Sequence, residues 1–226
     1  MNYSVIQKLA DITETIPADV RLIAVSKKVE VEKIKSVYEQ GIKDFAENRL
    51  QDAISKQKQL ADLTDICWHF IGHLQTNKAK KAIESFSWIH SVDSLKLAQK
   101  LDIHAGKALA EGIIKQSPQV CLQVKILPDE NKYGWHVNDL WQDIPQLESL
   151  KHLRVRGLMS ILPLGLSASE RMSAFQDIAK LAEEIRLQGH FTPEFDQLSM
   201  GMSGDYQDAI AAGATMIRLG SIIFRD

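Results

Sequence analysis

Residues 197–224 read QLSMGMSGDYQDAIAAGATMIRLGSIIF, and this stretch decides the fold. A short apolar run leads into a turn of glycine and serine at 201–204, and residues 205–212 have a helical composition. A second apolar strand, 215–219, ends in another turn of small residues, Gly220 and Ser221. The pattern predicts a strand, a turn and a helix, followed by a further strand and turn.

Two turns of this kind on consecutive strands have the composition of a phosphate site. Small residues let the backbone approach a ligand, and free N–H groups at a helix start bind anions. The same composition is also typical of ordinary strand-to-helix turns, and the stretch alone favours that simpler interpretation.

Working outward, apolar runs alternate with helical patterns along the whole chain. The spacing predicts strands at 21–27, 44–48, 68–72, 88–92, 119–127, 154–161, around 198–200, and at 215–219. Strands alternating with helices indicate an α/β protein with a parallel sheet, and eight such units favour a (β/α)8 TIM-type barrel. The main alternative is a doubly wound open sheet. No linker interrupts residues 1–226, so we expect a single domain.

The helical patterns add two expectations of detail. Apolar residues from Val5 to Ile16 recur every three or four positions and predict an extra N-terminal helix, which Pro17 ends. This helix would either close the bottom of the barrel or pack on its side. Residues 168–187 form the clearest helix, whereas Pro145 should kink or split the helix that contains it.

Composition limits the classes of partner. The 226 residues are 45% hydrophobic and 25% charged, with a formal net charge of −2, so no basic field would attract nucleic acid or a membrane surface. Cys67 and Cys121 both lie in apolar runs, which is typical of buried thiols in a reducing compartment. The N-terminal residues lack the apolar core of a signal peptide. A cytoplasmic protein is therefore expected, and its modest charge is compatible with a monomer.

Lys27 is the most informative polar residue at a predicted strand end. Side chains alternate along a strand, so Ile23, Val25 and Lys27 should share one face. A lysine at the mouth of a barrel would be partly desolvated, which favours the neutral amine that forms Schiff bases. The alternative is that Lys27 and Lys28 only mark where the strand meets water.

Two other features have open interpretations. Arg218 lies within an apolar strand, and a buried guanidinium needs an acceptor, which a ligand or an internal salt bridge could equally provide. His69 and His73 would share a strand face, a spacing that suggests metal binding. No carboxylate or cysteine pair in the pattern completes such a site, so structural or ligand-lining histidines are the favoured interpretation.

Six motifs resemble the pyridoxal phosphate homeostasis protein family, relatives of the alanine racemase barrel of fold type III. The match extends over about residues 21–224, and its longest motif is specific. The motifs are AVSK (24–27), FAEN (45–48), WHFIGHLQTNK (68–78), RGLM (156–159), SMGMS (199–203) and AAGATMIRLG (211–220).

The resemblance implies a cofactor and a role for each matched residue. Pyridoxal 5'-phosphate would be held by Lys27 as a Schiff base, with Asn48 near the ring and Arg218 against the pyridine nitrogen. Its phosphate would be bound by Ser199, Met200, Gly201, Met202, Ser203, Gly220 and Ser221. The chain departs from the family pattern at Ala46 and at Lys125, which leaves the role of the loop 128–135 open.

The resemblance also implies vitamin B6 and amino/keto acid homeostasis without established catalytic turnover. Pyridoxal phosphate-dependent apoenzymes would then be the expected partners. An amino-acid racemase is the alternative, but arginine is a poor proton donor to the ring, and racemases of this type add a C-terminal domain that we do not expect here. A barrel for some other phosphorylated metabolite is a third possibility.

Overall fold

The fold is described from a computed structural model, which covers residues 3–129, 132–191 and 193–225, without the side chains of residues 3 and 4. Its strands are β1 (Arg21–Val25), β2 (Asp44–Glu47), β3 (Cys67–Phe70), β4 (Trp88–Val92), β5 (Gln119–Gln123), β6 (Arg154–Met159), β7 (Gln197–Met202) and β8 (Met216–Leu219). They form one closed barrel in sequence order, and every neighbouring pair is parallel, including β8 with β1.

Helices surround this barrel. They are α1 (Tyr3–Thr13), α2 (Val31–Glu39), α3 (Leu50–Gln59), α4 (Ala79–Ser85), α5 (Leu95–Ala110), α6 (Val137–Glu148), α7 (Ala168–Leu187), α8 (Tyr206–Ala211) and α9 (Ser221–Phe224). The predicted (β/α)8 barrel with an extra N-terminal helix is therefore confirmed. None of the helices in the described ranges is long and apolar enough to span a membrane.

The barrel has two apolar layers because side chains alternate along each strand. Most apolar side chains lie between the strands and the helices. A second, smaller cluster fills the interior of the barrel, and it consists of Ile23, Val25, Ala46, Trp88, Cys121, Met159 and Met216. The same inward positions hold a few polar side chains, which carry the chemistry described below.

α1 packs on the side of the barrel, against α2 and α9, so it does not close the bottom. The Nζ of Lys8 donates a hydrogen bond to the carbonyl oxygen of Arg225 at 2.8 Å. α9 itself was not predicted, because a single turn of helix leaves no periodic pattern in the sequence.

One expectation about element bounds was wrong, and one of the two outcomes expected at Pro145 is not found. Several strands end two to four residues earlier than the apolar runs do; β5, for example, ends at Gln123. The apolar residues that follow, such as Ile126 and Leu127, still pack against the core from a loop. Pro145 does not split its helix: α6 is continuous from Val137 to Glu148, and the proline removes only the one backbone hydrogen bond that its missing N–H would donate.

Candidate functional site

Lys27 lies in the turn directly after β1. Ile23 and Val25 point into the barrel, as the alternation predicted, but the strand ends at Val25 and the side chain of Lys27 is exposed. The expected partial desolvation of this amine is therefore not found. Lys28, also exposed, has a left-handed backbone with φ of 60°.

A buried network holds the backbone next to Lys27. Oε1 of Glu47 accepts hydrogen bonds from Ser26 Oγ and from Lys56 Nζ, both at 2.7 Å. Lys56 Nζ also donates to the carbonyl oxygen of Ser26 at 2.6 Å. All three residues are buried, and Glu47 is 0% exposed. This network was not predicted from the sequence, although a lysine at a buried position of α3 was a possible signal.

Asn48 follows β2 and is exposed. Its backbone lies against Gly72, in the loop after β3: a Cβ at position 72 would come within 2.1 Å of the carbonyl oxygen of Asn48. Only a glycine permits this approach. The structure thus joins the loops after β2 and β3 beside the turn that contains Lys27.

The predicted phosphate turns do meet at the carboxyl ends of β7 and β8. Ser203 Oγ accepts hydrogen bonds from the backbone N–H groups of Gly220 and Ile222, at 3.3 and 3.4 Å. Gly201 has φ of 90°, and a Cβ there would lie 2.6 Å from the Cβ of Ala209. Met202 and Ser221 complete the two turns, and Ser221 is exposed.

Ser199 and Met200, also predicted for the phosphate, have other contacts. Met200 is 0% exposed and packs in the outer core. Ser199 is 0% exposed, and its hydroxyl faces Arg218 and His90 inside the barrel. The side chains of these two residues therefore lie in the protein interior, on β7 and ahead of the turn at 201–204.

Arg218 is buried in the barrel, with 3% exposure. Its Nη1 donates to the carbonyl oxygen of Ser199 at 2.6 Å and to Ser199 Oγ at 2.7 Å, and its Nη2 donates to the carbonyl oxygen of Ser160 at 2.8 Å. The alternative of an internal salt bridge is not found among the described residues. Burial lowers the pKa of Arg218 to about 10, an effect that Asp205 opposes through space.

A continuous line of polar side chains runs from Arg218 through the barrel. Ser199 Oγ lies 2.7 Å from Nδ1 of His90, and Nε2 of His90 lies 2.8 Å from Nδ1 of His69. Nε2 of His69 lies 2.8 Å from Oδ1 of Asp44, at the start of β2. Both histidines are 0% exposed.

The environment favours the neutral form of both histidines. Burial lowers the pKa of His69, although Asp44 opposes this effect. Burial, followed by His69 and Arg218, lowers the pKa of His90 well below its usual value. Burial raises the pKa of Asp44, but the interactions with His69, Arg21 and Cys67 together outweigh it, and the net pKa is lowered.

The expectation about a metal needs one correction. A carboxylate and a thiol do accompany His69: the ligand atoms of Asp44, Cys67 and His69 lie within 4.8 Å of one another. Burial raises the pKa of Cys67 to about 12, which opposes the thiolate that metals require. Arg21 is 3.9 Å from Asp44 and adds an unfavourable positive charge.

His73 is not part of that group. It lies in the loop after β3, where Nδ1 is 3.0 Å from Oδ2 of Asp93. Its ring stacks on Tyr133 with 3.5 Å between centroids. Tyr133 belongs to the loop 128–135, in which residues 130 and 131 lie outside the described residues. The described part of this loop thus contacts the loop after β3.

Comparison with known proteins places this geometry in a family. The family model for the alanine racemase N-terminal domain matches residues 4–226. A pyridoxal phosphate homeostasis protein of Synechocystis sp. is 52% identical over 217 residues, which are 96% of each chain. The Escherichia coli K12 protein of that name is 33% identical over 210 residues, 92% of this chain and 86% of its own length.

Solved structures agree. The PipY protein of Synechococcus elongatus PCC7942, solved with pyridoxal phosphate bound, is 45% identical, with a TM-score of 0.90 over 97% of this chain and 99% of its own. An alanine racemase of Clostridium difficile 630, at 16% identity and a TM-score of 0.77, shares the fold alone. The chain therefore belongs to the pyridoxal phosphate homeostasis proteins, within the alanine racemase N-terminal domain family.

Proposed function

We propose that this barrel binds pyridoxal 5'-phosphate at the carboxyl ends of its strands and serves vitamin B6 and amino/keto acid homeostasis. Lys27 holds the aldehyde carbon as a Schiff base in this proposal. The cofactor bound in PipY and the names of the relatives support it.

One observation carries the proposal for this chain. A Cβ at Gly220 would lie only 3.2 Å from Cβ and from the carbonyl oxygen of Val25. The turn after β8 is therefore in contact with the end of β1, two residues before Lys27. An anion held at Gly220 and Ser221 is then close to the amine of Lys27, as a ligand with both a phosphate and an aldehyde requires.

The donors and acceptors present suit this ligand. Ser203 Oγ accepts hydrogen bonds from the N–H groups of Gly220 and Ile222. These N–H groups can donate to a phosphate instead when the Ser203 hydroxyl rotates away. Arg218 provides a buried cation on the interior side, for the pyridine nitrogen. Ser160 Oγ is buried and has no hydrogen-bond partner among the described residues, so a polar ligand at the mouth would offer it one. Asn48 lies beside the ring in this arrangement.

We propose a carrier rather than a racemase. Bound pyridoxal phosphate supplies an electron sink for bonds at the α-carbon of an amino acid. Arg218 at the ring nitrogen stays protonated at ordinary pH, because even its lowered pKa is about 10. It therefore does not transfer a proton to the ring, and the ring is a weak electron sink. Tyr133, a candidate for a second base in the loop after β5, has its ring stacked on His73. Rapid racemisation by the purified protein, lost in Lys27→Ala, would contradict this assignment.

The wider setting is also part of the proposal. We propose that residues 1–226 act as a single-domain, cytoplasmic monomer that exchanges its cofactor with pyridoxal phosphate-dependent apoenzymes. The free thiols of Cys67 and Cys121 support a reducing compartment. Light scattering after size-exclusion chromatography tests the monomer, and activation of a purified apoenzyme by the loaded protein tests the exchange.

The direct test of the site is spectroscopic. Purified protein loaded with pyridoxal phosphate should show a visible Schiff-base band that borohydride removes, and peptide mapping should find the adduct on Lys27. A protein that stays colourless with added cofactor would contradict the proposal. An adduct on Lys28 instead would leave the cofactor in place but overturn the assigned residue.

A further inference from the structure

A line of hydrogen bonds joins Arg218 to Asp44 through Ser199, His90 and His69, and the groups at its two ends limit which atoms can be donors. A guanidinium only donates, and an ionised carboxylate only accepts. Arg218 Nη1 therefore donates to Ser199 Oγ, and His69 Nε2 donates to Asp44 Oδ1. With both ends fixed and both imidazoles neutral, Ser199 donates to Nδ1 of His90, and Nε2 of His90 donates to Nδ1 of His69.

Every hydrogen bond in this line has one donor and one acceptor when both imidazoles are neutral. Each of Ser199, His90 and His69 then donates one hydrogen along the line and accepts one, so no polar atom in it is left without a partner. If His69 were doubly protonated, His90 would have to donate to Ser199. The Ser199 hydroxyl would then have two donors facing it and no acceptor among the described residues.

We propose that Asp44, His69, His90 and Ser199 form a hydrogen-bond relay that positions Arg218 and adds Asp44, besides Asp205, as a remote counter-charge. Asp44, His69 and His90 are thus positioning residues for the contact between Arg218 and the ring. That functional part rests on the proposed cofactor, whereas the relay itself belongs to the protein without any ligand.

The charges around Arg218 support this assignment. The three acceptors that the guanidinium contacts are neutral oxygens of Ser199 and Ser160. A buried cation with only neutral partners is costly unless a negative charge compensates for it. Asp205 is the carboxylate that raises the pKa of Arg218 through space, without an ion pair. Asp44 is the carboxylate to which a continuous line of hydrogen bonds joins Arg218.

The partners of Asp44 at its own end are consistent with this role. Arg21 approaches no closer than 3.9 Å and is substantially exposed, whereas His69 lies at 2.8 Å. An exposed ion pair at that distance contributes little. The short hydrogen bond into the barrel is therefore the main contact of this carboxylate.

The first experiment reads the relay without cofactor. Nitrogen-15 NMR of the histidine rings in the unliganded protein should show His69 and His90 neutral at pH 7, both with the proton on Nε2. Asp44→Asn and Ser199→Ala should each change the ring resonances of both histidines. A proton on Nδ1 of His90, or a doubly protonated His69, would overturn the relay.

The second experiment measures its effect on the ligand. Asp44→Asn should weaken pyridoxal phosphate binding about five- to tenfold and shift the visible band of the bound form, although Asp44 lies at the opposite ends of the strands. The matched control is Asp102→Asn, which removes a carboxylate 3.2 Å from His152 on the outside of the barrel. That variant should bind and absorb as the unmodified chain does.

The outcomes separate the two levels of the proposal. If the histidine protons are as stated but Asp44→Asn changes neither affinity nor spectrum, the relay does not act on the cofactor contact, and that part is wrong. If the unmodified chain binds no pyridoxal phosphate, the proposed function fails, while the NMR result still decides the relay. Should Asp44→Asn not fold, Ser199→Ala, which removes the relay hydroxyl next to Arg218, provides the same measurements.

Discussion

The side-chain nitrogen of Lys56 lies 2.6 Å from the carbonyl oxygen of Ser26. A charged group on α3 thus fixes the backbone of the residue just before Lys27. The same nitrogen is 2.7 Å from Oε1 of Glu47, whose other oxygen, Oε2, is buried without a hydrogen-bond partner among the described residues. The position of the proposed reactive lysine therefore depends on a buried ion pair behind the barrel wall.

Removal of Lys56 should destabilise the protein strongly. Lys56→Met leaves the Glu47 carboxylate buried and unpaired, which costs about 3–5 kcal/mol of unfolding free energy. The measurement is urea denaturation at pH 7. The double variant Lys56→Met/Glu47→Gln should recover a large part of that loss, and equal stabilities of the single and double variants would contradict the ion-pair interpretation.

Lys27→Ala should abolish the visible band of the loaded protein and leave its stability within about 0.5 kcal/mol of the unmodified chain, because the side chain is exposed. Lys28→Ala is the matched control, since Lys28 is an exposed lysine in the same turn. The Lys28→Ala protein should still show the visible band after dialysis against buffer, with no borohydride added. Loss of the band in both variants would indicate damage to the turn rather than loss of the bond to Lys27.

Gly72→Ala should disturb the site through the backbone. The new Cβ would lie 2.1 Å from the carbonyl oxygen of Asn48, so the loops after β2 and β3 must separate. We expect a loss of about 1–3 kcal/mol in stability and weaker cofactor binding, measured by urea denaturation and titration. Gly204→Ala is the control, because a Cβ there meets nothing within 4 Å.

Stability should fall on mild acidification. His69 and His90 have pKa values lowered by burial from 6.5, so the unfolded chain takes up protons below about pH 6.5 that the folded chain excludes. Each histidine then contributes a loss of about 1.4 kcal/mol per pH unit until its folded-state pKa is reached. Among the described residues, the charged groups that act on the two histidines are the cations Arg21 and Arg218 and the anion Asp44, and together they leave the sign unchanged.

The measurement for this prediction is the unfolding free energy at pH 7, 6 and 5. His90→Gln, which lacks the titrating ring, should be less stable at pH 7 but should lose less on acidification. A slope equal to that of the unmodified chain would contradict the assignment of the pH dependence to these histidines.

The barrel was predictable because strands and amphipathic helices differ in the spacing of their apolar residues. Eight alternating strand and helix units are compatible with few architectures. The sequence also predicted the meeting of the turns at Ser203 and Gly220, since parallel strands bring their carboxyl ends together. The exact strand ends were not predictable: apolar residues such as Ile126 pack against the core from a loop as readily as from a strand.

The polar interior was the part that local patterns could not supply. His69 and His90 lie on adjacent strands, while Ser199 is more than a hundred residues further along, and only barrel closure brings them together. The sequence did contain one signal for these inward positions. His90 lies two residues after Trp88, and Arg218 lies two residues after Met216, so each shares a strand face with an inward apolar residue. A polar residue at an inward position of a barrel strand therefore needs partners from other strands.

The aligned hydrogen bonds inside the barrel also make a dipole. The oxygen of Ser199 is its negative end, at the guanidinium of Arg218, and the N–H of His69 is its positive end, at Asp44. The arrangement resembles the dipole of an α-helix, which likewise places a positive end at anions and a negative end at cations. Because this orientation exists before any ligand arrives, the electric field at Arg218 is preorganised, and binding requires no reorientation of the barrel interior.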